Sequence, residues 1–480
     1  MIASAYNTLV PYGSDYLLHN QTYGAILRLK EHQKIQVERI LSSGQGSGHL
    51  YQKLVELGFL VSSRRDEFDF LHNQYQSGIQ SSVEKSLTIT VTDQCNLACD
   101  YCFEEKSQWK KMSPETQAQV VDFADRLLDS SPTNNFSVTW YGGEPGLHLK
   151  CVYSLSKQLV ALADKRKVGY RAIMVTNGTV LTEQVCRSLL AHRIRKLQVT
   201  IDGKKSDHDR SRPFLAEIDP ASASPAIKKQ YEKIKKSRSL PVIGNNPPKR
   251  SSSYDRIIEG VTCYTKLGGT VSLRMNVTEE TFDGIFETLE DLYNRELLRT
   301  NDRGGLLYVN VQPVHETPLT AGCGGCHVST LKKSRFAKKL SEVREWHKNH
   351  GIEEFLPKIN LRFTGDTCIA NEHYSYVINP DGSLTTCSQH VCDEQYVSGH
   401  VTDAIQPSLK SMDDAFNTFD PFTNEECSQC EVLPICVGGC KANNITNTKD
   451  GGGYEAGCSV ARFSLKHNII QAYEDSKTLV

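Results

Sequence analysis

Residues 87–102 read Leu-Thr-Ile-Thr-Val-Thr-Asp-Gln-Cys-Asn-Leu-Ala-Cys-Asp-Tyr-Cys, and two signals meet in them. Leu87 to Thr92 alternates apolar and β-branched residues, as a strand does. Directly after it come Cys95, Cys99 and Cys102, spaced C-x3-C-x2-C. Three thiolates on one short loop suit three irons of a 4Fe–4S cluster, a group usually held by four. With no fourth cysteine at hand, the fourth iron stays open to a cofactor that offers an amine and a carboxylate. A zinc ion is the competing occupant, and it would need a fourth ligand of its own.

Downstream of this loop the sequence alternates between strand and helix patterns. LTITVT, FSVTWYG, YRAIMVTNG, KLQVTIDG, TVSLRMNV and LLYVNVQPV are six strand candidates. Helical stretches fall between them at 113–130, 149–167, 182–192, 254–267 and 279–297, and a further helix is expected at 329–350. Ser113 followed by Pro114 marks one helix start. Repeated βα units imply an α/β fold with a parallel sheet covered by helices. Right-handed crossovers curl such a sheet into a partial, TIM-like (β/α)6 barrel over 87–315. Ligands then sit at the C-terminal ends of the strands. The connection 213–250 is long and carries eight Lys/Arg against three Asp/Glu; a solvated insertion and a lid over the site are both open readings.

With these neighbours, the Cys95, Cys99, Cys102 loop resembles the cluster motif of the radical S-adenosylmethionine (radical SAM) superfamily. In that family the open iron binds the methionine end of the cofactor, whose cleavage yields a 5′-deoxyadenosyl radical. Trp140-Tyr141-Gly142-Gly143-Glu144-Pro145 closes the second strand and looks like the family's glycine–glycine–glutamate motif, which pairs backbone with the methionine amino group. Glycine lets backbone come close to a ligand. Thr176 and Asn177 end the third strand and Asp202 the fourth, where the resemblance expects ribose and carboxylate contacts. Arg212 is placed to pair with the cofactor carboxylate. Tyr101 and Phe103, on either side of Cys102, complete the expected cofactor set. His148, His208 and His315 lie near strand ends, but nothing in the sequence assigns them a role, and no catalytic acid or base is named.

The chain has 16 cysteines, and a second group of them lies far downstream: Cys368, Cys387, Cys427, Cys430, Cys436, Cys440 and Cys458. Clustered cysteines in a large chain without secretory features point to metal more than to disulfides. The spacing resembles the SPASM domain, placed here at 361–465, which binds two auxiliary 4Fe–4S clusters. The resemblance implies Cys368, Cys387 and Cys440 for the first and Cys427, Cys430, Cys436 and Cys458 for the second. With the radical motif, that makes three 4Fe–4S clusters. Cys392, Cys323, Cys326 or an open iron are alternatives for the fourth position of the first auxiliary cluster. Cys151, Cys186 and Cys263 read as buried thiols.

Residues 1–80 form a separate pattern. YNTLV, YLLHN and AILRL read as short strands, and QKIQVERILSS and HLYQKLVELGF as amphipathic helices, which suggests a winged-helix-like module. It resembles the precursor-recognition elements of ribosomal-peptide maturases, which add a leader peptide to a sheet edge. Residues 316–360 are expected to bridge barrel and SPASM domain, and 466–480 to form a tail.

With 55 Lys+Arg against 56 Asp+Glu, nucleic-acid and membrane-surface binding are not expected. The N-terminus lacks a secretory pattern, and the cytoplasm is the expected compartment. The resemblance implies a maturase that crosslinks a ribosomally made precursor peptide, through a thioether or carbon–carbon bond, with flavodoxin or ferredoxin as electron donor. An anaerobic sulfatase maturase forming formylglycine is the alternative enzyme. A zinc-stabilised adaptor without catalysis is the alternative of another class.

Overall fold

The structure is a computed structural model that describes residues 1–80, 84–102, 109–217, 228, 252–299, 304–314, 331–352, 355–356, 360–364, 368–405, 419–442 and 457–477. Phe103, Cys323, Cys326, His315 and nearly all of the basic insertion at 213–250 lie outside these residues.

The N-terminal part begins with β1 (Ile2–Ala3), β2 (Asn7–Tyr12), β3 (Asp15–Asn20) and β4 (Ile26–Leu29). Helices α1 (Glu31–Ser43) and α2 (Gly48–Glu56), β5 (Leu60–Val61) and α3 (Arg64–Gln80) follow. Strands β2, β3 and β4 form an antiparallel meander, and β1 pairs with β5. Gly13, at φ 61°, supplies the left-handed turn that joins β2 to β3. The three strands and two helices lie where the sequence pattern puts them; α3 and the β1–β5 pair do not appear in that pattern.

The barrel strands are β6 (Glu84–Thr92), β7 (Asn135–Gly142), β8 (Gly169–Thr176), β9 (Ile194–Ile201), β10 (Thr270–Val277) and β11 (Leu306–Pro313). Helices α4 (Pro114–Asp129), α5 (Leu149–Arg166), α6 (Glu183–Ala191), α7 (Lys205–Ser211), α8 (Ser253–Lys266) and α9 (Ile285–Asn294) connect them, and α10 (Lys333–Asn349) follows β11. All six strands are parallel and stand side by side in chain order. Helix α4 starts as its sequence dictates: the Ser113 side chain accepts from Thr116 N–H at 3.0 Å, and Pro114 occupies the first turn. The apolar face of the sheet meets that of the helices, and Leu87, Ile89, Val91, Phe123, Phe136 and Val138 are wholly buried there.

Among the described residues the barrel does not close on itself. The cysteine-rich segment supplies β12 (Ser375–Ile378), which pairs in parallel with β6; β13 (Ser383–Thr385) and β14 (Val397–His400) then extend the sheet antiparallel. The result is one nine-stranded sheet. Short helices α11 (Glu425–Ser428) and α12 (Leu433–Cys436) precede α13 (Ala461–Lys477). Residues 466–477, expected as part of a tail, belong to α13, because Leu465 and Ile469 give it an apolar face that packs with Val10 and Leu17 of the N-terminal sheet. Among the described residues no helix is long and apolar enough to cross a membrane.

Candidate functional site

The site grows out of the C-terminal end of β6. Cys95 to Asp100 leave this strand and run beside residues 211–215. Ala98 N–H donates to Pro213 O at 3.0 Å, Leu215 N–H to Asn96 O at 2.9 Å and Asp100 N–H to Ser211 O at 3.2 Å. A cysteine loop tied along its length to one neighbouring segment presents its thiols in a fixed arrangement, which ligation of a multi-atom cluster requires. Cys95, Cys99 and Cys102 all line a cavity of about 450 Å³ at the strand ends. Burial pushes the Cys99 thiol up to about 11, so ionising it calls for a cation that takes up the charge.

The two glycines after Tyr141 answer first to the protein's own backbone. A Cβ on Gly142 would stand 2.1 Å from Thr92 O, and one on Gly143 2.5 Å from Gln94 O. Their absence lets β7 lie against the run into the cysteine loop, where Gly143 N–H donates to Thr92 O and Glu144 N–H to Gln94 O at 2.7 Å. Gly142 and Gly143 also line the cavity. Glu144 does not; it is wholly buried. Its Oε1 accepts from Thr176 Oγ1 at 2.8 Å and Gly146 N–H at 2.7 Å, and its Oε2 from Asn177 N–H at 2.6 Å. Burial raises its pKa, against the pull of these donors. Glu144 thus ties the end of β7 to the end of β8.

Thr176 and Asn177 reach the cavity wall. Asn177 Nδ2 donates to Asn96 Oδ1 at 2.8 Å and lies 3.8 Å from Cys95 Sγ. Opposite them, Tyr101 forms the hub of a buried network. Its hydroxyl donates to Asp202 Oδ1 at 2.9 Å and accepts from Arg212 Nη1 at 2.7 Å and Asn276 Nδ2 at 3.3 Å. Asp202 also accepts from Ser211 Oγ, and its N–H donates to His208 Nδ1. Burial raises the Asp202 pKa, partly offset by the Arg212 charge. Arg212 Nε is buried without a hydrogen-bond partner, an orphaned donor of the kind a cofactor carboxylate would satisfy. These residues fit a cluster and S-adenosylmethionine: three thiols, a glycine backbone at the wall and a cationic donor share one cavity.

The second cysteine group separates into two places. Cys427, Cys430, Cys436 and Cys458 line one small cavity together. Burial pushes the Cys427 thiol up to about 12, with the other three adding to it. Cys387, likewise pushed up to about 12 by burial, has Cys368 and Cys440 as its electrostatic neighbours. Cys392, at φ 60°, lines another cavity with Asp93, Lys110 and Glu394. No three His, Cys, Asp or Glu side chains among the described residues converge as they would on a single ion; the Cys95 and Cys427 sets line cavities instead. Ser388 and Gln389, next to Cys387, reach into the wall of the large cavity. Sequence reasoning missed these two, together with Gln198, Thr200, Arg274 and Asn276. The alternation of polar residues along β9 and β10 is the signal that marks the last four.

Residues 89–292 match the model of the radical SAM superfamily. The chain is 22% identical over 380 residues to the serine-type anaerobic sulfatase-maturating enzyme of Klebsiella aerogenes, covering 75% of this chain and 80% of that one. Its fold is similar to native anSMEcpe with bound AdoMet and Cp18Cys peptide, with TM-score 0.54 at 17% identity over 82% of this chain and 98% of the other. It is also similar to Streptococcus suis SuiB bound to precursor peptide SuiA, with TM-score 0.52 at 13% identity over 94% and 97%.

Proposed function

We propose that this chain, which carries a radical SAM superfamily domain in residues 89–292, is a maturase that installs a side-chain crosslink in a ribosomally made precursor peptide. The observation that carries the reading is the shared cavity. Cys95, Cys99 and Cys102 line it, and so do Ser388 and Gln389, which adjoin Cys387. A peptide carbon placed between them lies within reach of both the radical centre and the first auxiliary set. When bound, S-adenosylmethionine and its 4Fe–4S cluster supply a 5′-deoxyadenosyl radical that removes a hydrogen atom from carbon.

The chain's own residues do the positioning. The backbone of Gly142 and Gly143 forms the wall on which the methionine amino group would rest. Arg212 offers Nε to the methionine carboxylate, while Tyr101 and Asp202 hold its Nη1 edge still. Cys368, Cys387 and Cys440 would hold the first auxiliary cluster, and Cys427, Cys430, Cys436 and Cys458 the second. The first of these sets would take up the electron left on the product or ligate a substrate thiolate. The N-terminal sheet β2–β4 offers an edge for a leader peptide, and the extent of the likeness to the SuiB–SuiA structure favours this role. A formylglycine-forming sulfatase maturase is the second reading, favoured by the Klebsiella relative.

Iron and acid-labile sulfide per chain test the reading first, on protein reconstituted without oxygen beside a Cys95→Ala/Cys99→Ala/Cys102→Ala variant. About twelve irons, falling to about eight in the variant, are expected for three 4Fe–4S clusters. Tandem mass spectrometry of short peptides encoded beside the gene then separates the enzymes: a crosslink joins two residues, whereas formylglycine is a single aldehyde trapped by hydrazine. Zinc with negligible iron would overturn both.

A further inference from the structure

One cation in the large cavity has no task in the cofactor reading. Arg274 sits on β10, with Thr200 of β9 and Asn310 of β11 as its partners across the sheet. Two residues on, toward the strand ends, stand Asn276 and Gln312. Residues two apart share a face, so Arg274 belongs to a polar band across three strands, on the face that lines the cavity. A barrel interior of this kind is ordinarily packed with branched apolar side chains. Arg274 Nε donates to Asn276 Oδ1 at 2.9 Å, and Asn276 in turn donates to Tyr101. The arginine is therefore anchored by one nitrogen and oriented by the same network that holds Arg212.

Its Nη1 and Nη2 make no hydrogen bond or ion pair with any described residue; its charge acts on the Asp202 carboxylate through space, without contact. The other cavity arginine is differently placed: Arg212 is linked through Tyr101 to Asp202 and keeps its own orphaned Nε. One carboxylate on the cofactor matches Arg212. Arg274 then remains as a rigid, forked donor pair in a recessed cavity, where a carboxylate is the matching anion.

Resting on the reading of the chain as a peptide maturase, we infer that Arg274 binds the carboxylate of an Asp or Glu side chain in the peptide segment that enters the cavity. In that role it is a specificity residue. It sets which stretch of substrate sits beside the radical centre, so the residue modified lies at or next to an acidic one.

The experiment uses reconstituted holoenzyme saturated with S-adenosylmethionine. Binding of the capped pentapeptides Gly-Gly-Glu-Gly-Gly and Gly-Gly-Gln-Gly-Gly is measured by equilibrium dialysis for wild type, Arg274→Gln and Arg274→Lys. S-adenosylmethionine affinity and iron content are measured on the same samples. The expected result is at least tenfold preference for the Glu peptide in wild type, lost in Arg274→Gln and partly kept in Arg274→Lys. Cofactor affinity and iron should stay within twofold throughout. Absence of a Glu preference in iron-replete wild type overturns the inference. A loss of cofactor affinity in Arg274→Gln with the peptide preference intact overturns it too, and assigns the carboxylate to the cofactor. Failure of the maturase reading itself shows separately, as wild type without iron or without cofactor binding.

Discussion

Glu144 Oε2 accepts the backbone N–H of Asn177 at 2.6 Å, which binds the end of one barrel strand to the end of the next. Both oxygens of this buried carboxylate face donors, and no donor group could replace either without conflict. In Glu144→Gln the amide nitrogen, on either side, meets a backbone N–H from which it cannot accept. The expected cost is about 1–3 kcal/mol of stability, read as a lower urea midpoint. Cofactor affinity should fall as well, because Thr176 and Asn177 lose their anchor. Unchanged stability would mean that the clamp does not form.

The Tyr101 hydroxyl serves three partners, and Tyr101→Phe removes it while keeping the ring. Asp202 and Arg212 then face each other without their intermediary, and Asn276 loses an acceptor. Loosening of Arg212 should lower S-adenosylmethionine affinity about tenfold, equal to about 1.4 kcal/mol, while iron content stays at the wild-type level. Equilibrium dialysis beside an iron assay measures both. Loss of iron together with affinity would place the hydroxyl in cluster assembly instead.

Acid should weaken the fold through His347. The ring lies wholly inside the protein on α10, with Nδ1 2.9 Å from Val343 O. Burial lowers its pKa to about 4, and the neighbouring Arg344 and His350 charges push the same way. The folded state thus takes up this proton later than the unfolded chain, where the value is about 6.5. The residue's contribution is complete above pH ~6.5 and is lost as pH falls toward ~4, roughly 3 kcal/mol in all. Urea midpoints for wild type and His347→Gln at pH 7, 6 and 5 should diverge at pH 7 and approach each other toward pH 5.

The barrel is legible in the sequence because each of its strands carries its own signal. LTITVT or TVSLRMNV would be a buried strand in almost any context, and Ser113-Pro114 starts a helix by local chemistry alone. The cysteine loop is legible for a different reason, since three thiols at that spacing have few other uses. What escapes is whatever depends on distant partners. Nothing local in Ser375–Ile378 says that it will pair with β6, nearly 290 residues away. That Glu144 ties the ends of two strands together shows only once Thr176, Gly146 and Asn177 are brought to its oxygens. The left-handed backbone of Cys392, and its place in a cavity beside Asp93 and Lys110, are likewise not written in the residues around it.

That distant pairing carries a prediction for the whole molecule. Strand β12 covers the β6 edge over Ser375–Ile378, Ser86 N–H donates to Tyr374 O, and the Tyr376 ring packs edge-on against Phe123 at 5.1 Å. Arg126 of α4 further donates to the carbonyls of Val401 and Asp403, both at 2.6 Å. A chain cut after residue 364 keeps every barrel strand but bares Ser86–Ile89, the part of β6 that β12 covers. Unpaired edges recruit other strands. The truncated chain should therefore elute as aggregate in size-exclusion chromatography with light scattering. Tyr376→Ala in the full chain should keep the edge covered and lose only packing, at about 3–5 kcal/mol. A truncated chain that stays monomeric would show that the barrel protects its first strand without help from the cysteine-rich segment.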